Sequence, residues 1–139
     1  MHMLKRWGAL ACAMGAACVA IAANAQEPGR NMVLITSPAA EGSRQLCASK
    51  CVVHTPYVTT GAAAGFLMLF DQASATPAAD GAVVPVLCIQ VAATTSSGPP
   101  APTTGMPFQN GALAVFSTTG CFTKTISATA YFSAVRQTF

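Results

Sequence analysis

A chain of 139 residues with 53% hydrophobic and only 8% charged side chains carries too much apolar matter and too little charge for a disordered polypeptide. Its formal net charge of +3 comes from 7 basic against 4 acidic residues. These are scattered along the sequence, which excludes the basic stripe of a nucleic-acid-binding surface.

The chain opens on "MHMLKRW", continues as "GALACAMGAACVAIA" and reaches "ANAQ". A charged start, an apolar centre and a small-x-small end are the three regions of a secretory leader, with cleavage expected between Ala25 and Gln26. The apolar stretch over residues 8–23 has 16 residues, short of the roughly 20 that a membrane-spanning helix needs. Residues 1–25 are therefore expected to be removed, leaving a periplasmic or extracellular protein with no membrane association. Neither Cys12 nor Cys18 lies behind a leucine-led lipobox, so lipidation is not expected. Removing 25 of the 139 residues leaves 114, the size of one small domain. Its bases are Arg30, Arg44, Lys50, Lys124 and Arg136 and its acids Glu27, Glu41, Asp71 and Asp80, a net charge of +1.

Beyond the leader, residues 26–43 read as an N-terminal arm or linker in which "NMVLIT" at 31–36 is a short strand, and "SPAAEGS" is a connector. "RQLC", "ASK" and "CVVHTPYVTT" read as a hairpin, whose second arm Pro56 confines to a sheet edge or a bulge. "GAAAG" turns the chain into "FLMLF" at 66–70. "ASATPAADGA" is a loop, and "VVPVLCIQVAAT" is a strand entered at Pro85. "TSSGPPAPTTGMP" is a surface loop, after which "GALAVFST", "TGCFTK" and "TISATAYFSAVR" close the chain. Six or seven short strands with frequent turn signals predict an all-β domain over residues 44–139, an antiparallel β-sandwich or a small barrel.

Two strands carry the packing information. In "TISATAYFSAVR", Ile126, Ala128, Ala130, Phe132 and Ala134 alternate with Ser127, Thr129, Tyr131 and Ser133, the pattern of a half-buried strand. In "FLMLF" the apolar run is unbroken, so both faces must be covered. Phe66, Met68 and Phe70 are expected to fill the sandwich. Leu67 and Leu69 then emerge on the outer face, either beneath residues 31–43 or in the interface of a homo-oligomer, a trimer or closed ring.

Four cysteines remain after the leader: Cys47, Cys51, Cys88 and Cys121. An even number in a small exported domain reads as disulfides. A zinc site would bring paired C-x2-4-C knuckles, and Cys88 and Cys121 stand alone. Cys47 and Cys51 bracket a three-residue turn, while Cys88 in a strand and Cys121 in a turn can meet only through the fold. The expected pairs are Cys47–Cys51 and Cys88–Cys121.

The phrases "YVTTGAAAGFLMLFDQASATPAADGAVVPVLCIQVAA" and "FQNGALAVFSTTGCFTKTISATAYFSA", separated by a Pro- and Gly-rich loop, resemble a family of small β-rich proteins encoded by tailed bacteriophages and prophages. The resemblance runs over residues 44–135. It implies an accessory virion protein of the head surface or tail, with a structural or adhesive role, and a capsid, tail or cell-surface partner. None of the phrases is a ligand or catalytic motif.

Little in the chain reads as catalytic machinery. His54 is the one histidine past the leader, Asp71 and Asp80 flank one loop, and no G-x-S-x-G elbow follows a strand. His54 reads as a polar edge-strand residue and the two aspartates as turn residues, so no catalytic, cofactor-binding or metal-ligating set is expected. The competing binding-module reading is a secreted bacterial β-sandwich for a cell-surface glycan or protein. It would use Tyr57 and Tyr131 as ligand contacts if they share a face.

Overall fold

The computed structural model of the protein describes residues 31–99 and 104–139. Residues 1–30, which include the expected leader, and the tip of the Pro-rich loop lie outside the described residues. The rest is all-β and antiparallel, with strands β1 (Asn31–Thr36), β2 (Ser43–Cys47), β3 (Cys51–Thr60), β4 (Gly65–Asp71), β5 (Gly81–Ala82), β6 (Leu87–Val91), β7 (Ser96–Ser97), β8 (Met106–Phe108), β9 (Ala112–Ser117), β10 (Thr123–Lys124) and β11 (Ala130–Thr138). Seven of these have five or more residues, the number the turn spacing implies. The other four are short pairings inside what read as loops.

The strands form two large sheets and a ribbon. The first sheet runs β1-β11-β3, with β7 and β8 sharing the far side of β3. The second runs β2-β9-β4-β6, and β5 pairs with β10. The two large sheets pack face to face as a sandwich and do not close into a barrel. Between them lie Leu46, Val53, Val58, Leu67, Leu69, Phe108, Ala114, Phe116 and Phe132, all buried.

Residues 31–43, expected as an arm, are built into this fold from Asn31 onward. β1 pairs with β11 along all six of its residues. Beyond it, the Ser37 amide donates to the Phe132 carbonyl at 2.9 Å, and the Phe132 amide donates to Ser37 Oγ at 2.7 Å.

The unbroken apolar run in β4 has its explanation in a third layer. Leu67 faces Phe116 and Leu69 faces Ala114 on the sandwich side, whereas Met68 faces Val115 and Phe70 faces Leu113 on the other. That other side is covered by the chain itself: Phe66, Met68, Phe70, Leu113 and Val115 pack with Val83 and Ile126, contributed by the two segments that carry β5 and β10. The expected phase is thus reversed. Leu67 and Leu69 are 1% and 0% exposed inside the sandwich, and they present nothing to a neighbouring subunit. Alternation in the sequence sets which residues share a face but not which face looks inward. The deciding contact is Gly65, in phase with Leu67 and Leu69, where an added Cβ would lie 2.6 Å from the Phe116 ring. Phe116 already fills that part of the inner layer, so the bulkier set of β4 faces out.

The Pro56 expectation is met by a bulge. His54 pairs with Val135 and Tyr57 with Ser133, so Thr55 and Pro56 together oppose Ala134, and Thr55 takes a φ of 43°. Proline brings no N–H to a ladder. Here the cost is small, because β8 pairs with β3 over Cys51–Val53 and β7 over Val58–Thr59, and among the described residues no strand pairs with the Pro56 stretch on that side.

Candidate functional site

The bulge in β3 decides which side chains share the outer face of the first sheet. In a regular strand His54 and Tyr57, three residues apart, would point to opposite sides. With one residue inserted, Val53, Pro56 and Val58 all point inward and are buried, while His54 and Tyr57 both point outward. Tyr131 and Ser133 face Thr59 and Tyr57 across the β3–β11 pair. Tyr57 and Tyr131 are therefore diagonal cross-strand neighbours, a relation that sets residues about 7–8 Å apart.

Both rings are available, with Tyr57 46% and Tyr131 48% exposed. Tyr57 is held in place by the backbone at Gly98, where a Cβ would come within 3.0 Å of the ring. The same face continues over β11 to Val135 and onto β1, where Leu34 lies opposite Val135 and Met32 opposite Gln137. Met32 and Leu34 are 50% and 65% exposed. None of the outward residues on β1, β11 and β3 is charged. The surface is a contiguous uncharged patch with two aromatic rings and two long aliphatic chains, a composition that marks contact surfaces on soluble proteins.

Within this face His54 Nε2 lies 3.3 Å from Gln137 Oε1, an amide partner and not a carboxylate. The two aspartates sit elsewhere and hold loops together. Asp71 accepts from the Asn110 amide at 2.7 Å and the Gln109 amide at 3.3 Å, pinning the turn into β9. Asp80 accepts from the Ile126 amide at 3.1 Å and from Lys124 Nζ at 3.4 Å. Both accept from backbone amides distant in sequence, so they join separate loops as well as standing in turns. Among the described residues no three His, Cys, Asp or Glu side chains come close enough to hold one metal ion.

No protein-family model, curated protein or solved structure matches this chain. Its own residues must carry any functional reading.

The cysteines pair as Cys47–Cys51 and Cys88–Cys121. The first closes the turn between β2 and β3. The second ties β6 to the segment entering β10, so it fastens the third layer onto the second sheet. Lys124 is 1% exposed. Its ammonium group donates to the Ala78 carbonyl as well as to Asp80. Its stem lines a cavity with Phe70, Pro77 and Val83 of about 20 Å³, room for about one water and for no larger ligand. Nothing local in "TGCFTK" marks this lysine as buried, because its partners lie 44 and 46 residues upstream.

Proposed function

We propose that the protein is a non-enzymatic, exported structural or surface-interaction protein, and that the outer face bearing Tyr57 and Tyr131 is its contact surface. The observation that carries this reading is the pairing of two half-exposed tyrosines on one uncharged, aliphatic-rimmed sheet face. Rigid aromatic side chains on strands give large contact area at low entropic cost, and contact surfaces are enriched in them. The leader-like start and two disulfides fit export into an oxidising compartment. If residues 44–135 belong with the accessory virion proteins of tailed phages that their phrases resemble, the partner is a particle or a host-cell surface.

A second reading, a binding module for a cell-surface glycan, is favoured by the same tyrosine pair, since adjacent aromatic rings can stack on sugar rings. One experiment separates the two. Labelled protein carrying both disulfides is offered to purified phage particles, to intact bacterial cells and to an array of bacterial surface glycans, beside a Tyr57→Ala/Tyr131→Ala variant. Retention on particles, or on cells with no array signal, that the variant loses supports the first reading, and an array signal that it loses supports the second. Binding that survives the double substitution would remove this face from consideration.

A further inference from the structure

The sheet edges of the molecule are not equivalent. β2 carries Arg44, whose Nε lies 3.7 Å from Glu41, and a register shift between Gln45 and Cys47. β6 follows Pro85 and is tied to the third layer by the Cys88–Cys121 bridge. Among the described residues, the far side of β3 holds two- and three-residue strands, one of them containing Pro107. Charge, proline, bulges and short strands are the devices that keep an edge from pairing with another chain. β1 has none of them. Its six residues, NMVLIT, pair with β11 in unbroken register, and among the described residues its other edge has no partner.

We infer that β1 pairs antiparallel with β1 of a second copy about a two-fold axis normal to the sheet, joining the two five-stranded sheets into one. The strand is self-complementary in this arrangement. With Leu34 of one copy opposite Leu34 of the other, Val33 meets Ile35 and Met32 meets Thr36, and every pair lies on a single face because antiparallel partners share sides. No like charges meet, since β1 has no charged residue. Val33, 40% exposed on the inner side, gains cover from the second copy. The chain's own N-terminal residues cannot take this place once the leader is removed, a step that rests on the export reading above. Only residues 26–30 then precede Asn31. Five residues that include Pro28 are too few to reverse direction and run along a six-residue strand of about 20 Å. The same two-fold sets both Tyr57/Tyr131 faces on one side of the dimer.

The test uses the processed protein with both disulfides formed, its N-terminus checked by intact mass so that a failure of processing is read separately. Light scattering should give twice the monomer mass at about 100 µM and approach the monomer on dilution to about 1 µM, the behaviour of a small, reversible interface. Leu34→Lys and Leu34→Glu should each be monomeric at the higher concentration, with near-UV circular dichroism unchanged because Leu34 is 65% exposed. Mixing the two variants should restore the dimer, and added salt should dissolve it, since each lysine then faces a glutamate across the axis. A wild type that stays monomeric at about 100 µM, a Leu34→Lys variant that still dimerises, or a mixture that stays monomeric would each overturn the proposal.

Discussion

Leu67 faces Phe116 across the β4–β9 pair, and both side chains are buried between the two large sheets. Truncating Leu67 to alanine removes apolar volume from a layer that also holds Leu69 and Ala114. Leu67→Ala should lower the free energy of unfolding by about 2–5 kcal/mol, the range for leucine deletion in a packed core. Urea denaturation followed by far-UV circular dichroism measures it. Leu67→Ser/Leu69→Ser should unfold the domain and not merely change its assembly.

This contact also shows how much of the fold is legible in the sequence. That both faces of β4 are covered follows from five consecutive apolar residues. What covers the outer face does not, because the β5–β10 ribbon is four residues long in all and sits inside segments whose glycine, proline and aspartate read as loop. The tyrosine pair was legible only as two exposed aromatics in strands. Their common face depends on register across β3 and β11, and His54 joins it only through a one-residue bulge that Pro56 hints at. The disulfide pairs were easier, since a three-residue turn leaves Cys47 and Cys51 little choice and the other pair follows.

The two disulfides should differ in weight. Cys88–Cys121 spans a sequence separation of 33 and Cys47–Cys51 one of 4. Chain-entropy arguments put the longer bridge at about 4 kcal/mol and the shorter at about 2 kcal/mol. Cys88→Ala/Cys121→Ala should therefore lower the melting temperature more than Cys47→Ala/Cys51→Ala does. It should also raise hydrogen exchange over residues 72–86, where the third layer loses its staple. Peptide mapping without reductant should recover these two pairs, and a Cys47–Cys88 peptide would contradict the hairpin between β2 and β3.

Lys124 is a buried cation held by a carbonyl and one half-exposed carboxylate. Lys124→Ala leaves the Ala78 carbonyl without its donor and enlarges the cavity beside Phe70 and Val83. The expected loss is about 2–4 kcal/mol, most of it from the cavity that the missing stem leaves and the rest from the lost hydrogen bond. Lys124→Met restores the stem but not the donor, so it should recover part of the loss. Equal destabilisation by both variants would mean that the ammonium group, and not the stem, does the stabilising.

Gly65 tests the contact that sets the phase of β4. An added Cβ there would lie 2.6 Å from the Phe116 ring and closer still to the Ser117 carbonyl oxygen, and the second of these is backbone that cannot swing aside. Gly65→Ala should cost about 1–3 kcal/mol, as overpacking of a filled core does. Gly120 is the internal control: no atom lies within 4 Å of an added Cβ, and its φ is not positive. Gly120→Ala should be neutral or stabilising by up to about 1 kcal/mol through the unfolded chain. Thermal denaturation of the two variants side by side measures the difference. If Gly65→Ala is as harmless as Gly120→Ala, Phe116 does not fill the inner layer at that point, and the outward turn of Phe66, Met68 and Phe70 needs another cause.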